Sequence, residues 1–172
     1  IGTVLGVRKR MPDLITSARY ATYLIPLPLG LSILSLVGAF VSREFNVKYV
    51  AEHSSSTMPK AYAWVAFYAG NEGSILFIAI ALSIASAIAI ALASRLPQDS
   101  LAYTCSVLMA ILTFFLVVLI FLANPFETSN ITTSEGRGIN PLLTHPGMFI
   151  HPPILMTGLV TVSIPFAFAM GS

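Results

Sequence analysis

The sequence predicts an all-α fold, a polytopic transmembrane helix bundle with four full spans and a partial first one. Three observations carry that prediction. Residues counted as hydrophobic make up 56% of the 172-residue chain, charged residues only 9%, and mean hydropathy is +0.84. A soluble domain usually carries about 25% charged residues, so most of this surface is not built for water. Four stretches are long, apolar and nearly charge-free: about 20–42, 74–94, 100–123 and 150–172, the last holding only His151. About 20 apolar residues cross a bilayer core, and inside lipid such segments close their backbone hydrogen bonds as helices.

Ile1 to Val7 is apolar but short, and reads as the tail of an earlier span. The whole of 1–172 is then one membrane domain, expected to be a piece of a longer protein because it starts at isoleucine and ends directly after an apolar run. Span 20–42 contains Pro26 and Pro28, which predict a kink or local unwinding. In span 74–94, Ala79, Ser83, Ala87 and Ala91 form a small-residue stripe, and Ile80, Ile84, Ile88 and Leu92 a bulky one. Small residues let helices approach closely in a membrane, so this stripe is expected against a neighbouring helix.

Basic residues set the expected orientation. Arg8, Lys9, Arg10, Arg19 and Arg95 fall in short segments on one side, whereas loops 43–73 and 124–149 carry fewer per residue. The first side is expected in the cytoplasm and the long loops outside. A net charge of +2 and no long basic run give no reason to expect a nucleic-acid partner. Cys105 lies in an apolar run and reads as a small buried hydrophobe. The sequon Asn130-Ile131-Thr132 is a tripeptide that chance also produces.

The chemistry is expected in the long loops. No nucleotide-binding loop or hydrolase triad is present, and His53, His145 and His151 have no second cysteine or carboxylate pair with which to build a zinc site. A single imidazole serves better as an axial ligand to haem iron, where the macrocycle supplies the other donors. His151 stands before Pro152-Pro153, which stiffen a helix start, and either ligation or simple anchoring at the membrane surface fits it. His145 and His53 read as exposed loop residues. Glu72 sits at the start of a long apolar helix, where the helix dipole favours a carboxylate, with Ser74 or Asn71 available as caps.

Six runs, in order, carry a resemblance. They are Glu44 to Ala51 with Ser54-Ser55-Ser56 and Met58-Pro59; Trp64 to Ser74, ending Asn71-Glu72-Gly73-Ser74; Asn124-Pro125-Phe126; Gly136 to Leu143; Pro146 to Leu155; and Ser163 to Ala169. Together they resemble the CcmF/NrfE family, the integral membrane haem lyases of cytochrome c maturation. The resemblance implies a protein that takes haem from a haem chaperone and holds it for thioether attachment to apocytochrome c. It would act beside other maturation subunits, in the bacterial inner membrane rather than the mitochondrial one, with the long loops periplasmic. By the same resemblance His151 matches an outward histidine and is an axial ligand to haem iron, with haem b as substrate and a second b-type haem ligated elsewhere. Arg137 is then a partner for a haem propionate, and Asn140, Glu72 and Asn71 shape the outer surface.

Two departures stand out: Asn71 where the family commonly has histidine, and His145 where an acidic residue is common. Trp64 is the single tryptophan, so the family's tryptophan-rich segment is absent, and this stretch alone is expected to be inactive. Two rival readings remain open at the level of sequence. One is a non-catalytic split half or docking subunit. The other is an unrelated transporter or respiratory subunit, against which stands the expectation of no polar or charged residue marking a path through the spans.

Overall fold

The computed structural model describes residues 12–93, 96–129 and 135–171. The expected partial span Ile1–Val7, the basic triplet at 8–10, Arg95 and the sequon at 130–132 lie outside the described residues. Among the described residues the chain is all-helical, with one isolated antiparallel bridge, Val47 to Thr128, and no strand. In chain order the helices are α1 (Pro12–Leu24), α2 (Pro26–Ser42), α3 (Lys48–His53), α4 (Ala63–Phe67), α5 (Asn71–Leu92), α6 (Gln98–Phe121), α7 (His151–Thr161) and α8 (Ser163–Gly171). Short 3-10 turns cover Lys60–Tyr62, Pro141–Thr144 and Pro146–Phe149. Four helical stretches are long and apolar enough to cross a membrane: Ile15–Ser42, Asn71–Leu92, Gln98–Phe121 and Pro146–Gly171.

Two of these spans are bent, each at proline. α1 and α2 meet at Ile25, whose backbone stays helical (φ −56°, ψ −38°). Pro26 and Pro28 lack the N–H groups that would bond back to Thr22 and Leu24, so the ladder opens there. α7 and α8 meet at Val162, also helical (φ −60°, ψ −26°), where Pro165 leaves the Thr161 carbonyl without its usual donor. α2 ends on Arg43 in the left-handed region (φ 59°), and the N–H groups of Arg43 and Glu44 return to the carbonyls of Phe40 and Ala39. This closes the helix and turns the chain into the loop layer.

α5 is the central helix, touching α1, α2, α6, α7 and α8; α6 packs closely on α8. The buried face of α5 is Gly73, Leu76, Ala79, Leu82, Ser83, Ser86 and Ile90. The expected small-residue stripe is therefore buried at Ala79 and Ser83 but leaves the interface, with Ala91 exposed. A spacing of four advances about 400° around a helix with 3.6 residues per turn, so the stripe drifts by some 40° per step. Of the bulky stripe, Ile80 is half-buried against the core, while Ile84, Ile88 and Leu92 are exposed. With Leu31, Phe114 and Leu159 they form a surface that only lipid or another apolar helix can cover.

The expectation that the span interiors carry no polar residue is corrected by Thr22, Ser83, Ser86 and Thr104, all buried. Three are satisfied inside their own helices: Thr22 donates to Ala18 O, Ser83 to Ile80 O and Thr104 to Ser100 O. Such bonding lets a hydroxyl sit in a span without marking a path. Thr22 Oγ1 also lies 3.2 Å from Cys105 Sγ, and Cys105 is buried as expected.

A candidate haem-facing site in the loop layer

The two long loops lock together at one end of the bundle. Lys48 N donates to Glu127 O and Ser129 N to Asn46 O, each at 2.9 Å, flanking the Val47–Thr128 bridge. Further along, Arg137 N donates to Ala51 O at 2.7 Å and Gly138 N to Ser54 O at 2.9 Å. Gly136 lies so close to α3 that a Cβ there would stand 2.0 Å from Ser54 O. Glu135 closes the clamp, accepting from Ser56 N at 2.7 Å and Ser56 Oγ at 2.6 Å.

That clamp is pH-sensitive in a predictable direction. The Ser56 hydroxyl, then the Ser56 and Gly136 backbone N–H groups, lower the Glu135 carboxyl from its ordinary value. The contribution is thus present above the ordinary carboxylate range and is lost as pH falls through the lowered value. Glu135→Gln is expected to expose the 124–149 loop to limited proteolysis at neutral pH. The wild type should match it only below the ordinary carboxylate range, and equal cleavage at pH 7 would refute the clamp.

Beneath the loops, Tyr49 pins α3 to the start of α5. Its hydroxyl donates to Phe67 O at 3.0 Å and accepts from Gly70 N at 2.9 Å. Burial pushes the Tyr49 phenol up to about 12. A raised value means stability is held below the ordinary tyrosine range near pH 10 and is lost as pH climbs towards 12. Tyr49→Phe leaves the buried Phe67 carbonyl without this donor and the Gly70 N–H without this acceptor. It is expected to cost about 1–3 kcal/mol in detergent unfolding and to flatten the alkaline decline.

His53 departs from its expected place as an exposed loop residue. It is the last residue of α3, half-buried, with its ring 4.4 Å from that of Tyr49. Its Nδ1 lies 3.0 Å from Tyr49 O, and since a carbonyl only accepts, Nδ1 carries the proton. His145 is exposed as expected, and its Nδ1 accepts from Gly147 N at 3.1 Å, capping the 3-10 turn Pro146–Phe149.

His151 is the first residue of α7 and is exposed, with Pro152 and Pro153 in the first helical turn. The side chains that position it come from the other loop. Tyr62 donates to Thr144 O, Tyr68 to Met148 O and Trp64 Nε1 to Phe149 O, while the Tyr62 and Phe149 rings lie 5.3 Å apart. Thus three aromatic residues hold the segment that ends two residues before His151. Sequence reasoning missed this role; the available signal was Trp64 and Tyr68, four apart on one helical face and each carrying a polar tip.

The other expected site residues do not gather around His151. Arg137 is exposed, with its backbone fastened to α3 at Ala51. Asn140 is exposed but its side-chain oxygen accepts from Leu142 N, so it caps the 3-10 turn Pro141–Thr144. Glu72 lies in the first turn of α5, half-buried on the Tyr49 side. Neither Asn71 nor Ser74 caps that helix: the N-cap is Gly70, without a side-chain bond, and Ser74 Oγ donates to Tyr68 O. Among the described residues no group of three or more His, Cys, Asp or Glu side chains could hold a metal ion. A lone exposed imidazole suits iron whose remaining donors come from a macrocycle.

Comparison with known proteins shows the family. The family described as cytochrome C assembly protein matches residues 68–172. The chain is 34% identical over 168 residues to the cytochrome c-type biogenesis protein CcmF of Escherichia coli, which covers 97% of this chain and 26% of that protein. It is 34% identical over 168 residues to NrfE of Haemophilus influenzae, with the same coverage. It is 39% identical over 139 residues to CcmF of Pseudomonas aeruginosa, covering 80% of this chain and 21% of that protein. The chain thus spans about a quarter of the length of these relatives, aligned with their N-terminal part. No solved structure matches. A transmembrane, all-helical chain matched along almost its whole length by these relatives belongs to the cytochrome c assembly family of CcmF and NrfE.

Proposed function

We propose that the chain serves cytochrome c maturation in the bacterial inner membrane by presenting His151 as an axial ligand to haem on the periplasmic side. The observation that carries this reading is the placement of His151: exposed, at a proline-stiffened helix start, and backed by Tyr62, Trp64 and Tyr68 of the other loop. Aromatic and backbone contacts fix the chain ahead of the imidazole, which lowers the entropy lost on ligation. The haem is the substrate of the longer protein, a haem lyase acting on apocytochrome c with a haem chaperone and other maturation subunits. The exposed Arg137 guanidinium is the partner for a propionate. Glu72 and Asn140 contribute through the shape of the loop layer, Asn140 as a turn cap.

The test is the yield of haem-attached cytochrome c in a bacterium whose own copy is replaced by the longer protein carrying the variant. His151→Ala is expected to lower the yield by about tenfold or more. Arg137→Ala, losing an exposed ionic contact, is expected to lower it less than about fivefold. Normal yield with His151→Ala would turn the reading towards a docking role for this stretch, with ligation elsewhere; normal yield with Arg137→Ala would remove the propionate role.

A further inference from the structure

On the loop side of the bundle an apolar cavity of about 280 Å³ lies between α2, α5 and α6. Leu29 and Ser32 of α2, Leu76 of α5, Leu116 of α6 and, beyond the end of α6, Asn124 and Phe126 line it. Its two polar side chains are already engaged: Ser32 Oγ donates to Pro28 O, and Asn124 Oδ1 accepts from Phe126 N. Water needs two to four polar partners to occupy a buried site, so this space is built for hydrocarbon. At 1.5 Å per residue, Leu116 lies roughly 7–8 Å inside the end of α6 at Phe121, which places the cavity within the loop-side leaflet. Ile120, on its rim, is exposed towards the bilayer.

One residue beyond Phe126, Glu127 pairs with Lys48 at 3.2 Å, and both side chains are more than half exposed. A positive and a negative group thus stand side by side one residue along the chain from the cavity wall at Phe126. This pattern complements a headgroup that carries a phosphate and an ammonium. We infer that the cavity holds one acyl chain of a zwitterionic phospholipid from the loop-side leaflet. Its phosphate faces Lys48 and its ammonium faces Glu127. Such a lipid fills the gap between α2 and α6 and supports the isolated bridge at Val47–Thr128 from below.

The test places a photo-crosslinking benzoylphenylalanine at Leu116 in protein kept in membranes of mixed phosphatidylethanolamine and phosphatidylglycerol. The adduct is identified by mass. A second version at exposed Ile120, where a large side chain displaces no core packing, covers failure of the first to fold. A single phosphatidylethanolamine adduct at either position is expected. Its preference over phosphatidylglycerol should fall about fivefold when Lys48→Gln and Glu127→Gln are combined. An adduct to a protein segment, no lipid adduct at either position, or equal capture of the two lipids regardless of the pair would each overturn the proposal.

Discussion

Gly73→Ala is expected to abolish stable folding of the loop layer, at a cost of about 4 kcal/mol or more. A Cβ at Gly73 would stand 1.6 Å from Phe67 O, 2.8 Å from Phe67 C and 2.7 Å from the Tyr49 hydroxyl. The first two are backbone atoms, so no rotamer change relieves the clash. α4 must move away from the start of α5, and the Tyr49 bonds to Phe67 and Gly70 break with it. Overpacking and loss of buried hydrogen bonds then add at one place. Gly158 is the internal control, because a Cβ there meets nothing within 4 Å. Gly158→Ala in exposed α7 should be neutral or stabilise by up to about 1 kcal/mol through helix propensity. Thermal unfolding of both variants in the same detergent decides the matter. Equal midpoints would show that the α4–α5 approach is not as tight as described.

His151→Ala is expected to weaken haem binding to the purified chain by about tenfold or more. The imidazole is the exposed group at the start of α7, and neither His53 nor His145 is placed to substitute for it. His53 is half-buried against Tyr49 at the end of α3, and His145 Nδ1 is committed to the Gly147 N–H. Tyr68→Phe should give a smaller loss. It removes the hydroxyl that holds Met148 O but leaves the ligand itself in place. A graded series, wild type above Tyr68→Phe above His151→Ala, is the signature of a ligand whose backing comes from the other loop. A flat series would separate the aromatic frame from any haem site.

Much of the fold is legible in the sequence because the membrane imposes a coarse rule. Long charge-free runs close their backbone bonds as helices, so α2, α5, α6 and α7–α8 follow from hydropathy alone. The bend at Pro26 and Pro28 follows from the missing N–H groups, and the burial of Cys105 from its apolar neighbours. Less legible are features set by contacts distant along the chain. The bonds from Arg137 N to Ala51 O and from Gly138 N to Ser54 O join backbone groups more than eighty residues apart, and no side-chain pattern encodes them. His53 reads as a polar-loop histidine until Tyr49 is seen beside it. Asn140 looks available for a ligand until its oxygen is found on Leu142 N, as Asn in a turn commonly is. His151 is proposed as a ligand on the strength of its two prolines and the family resemblance. Its supporting shell of Tyr62, Trp64 and Tyr68 belongs to the other loop and emerges only in three dimensions.

Ligation of haem iron by His151, held by the loop layer, is the proposal on which the functional reading rests. Its most direct test is the Soret and visible spectrum of the haem-loaded chain for wild type and His151→Gly, with and without free imidazole. A histidine-ligated spectrum is expected for the wild type, with loss of that ligation in His151→Gly and its return when imidazole fills the space of the missing ring. A His151→Gly spectrum identical to the wild type, or one that imidazole leaves unchanged, would contradict it.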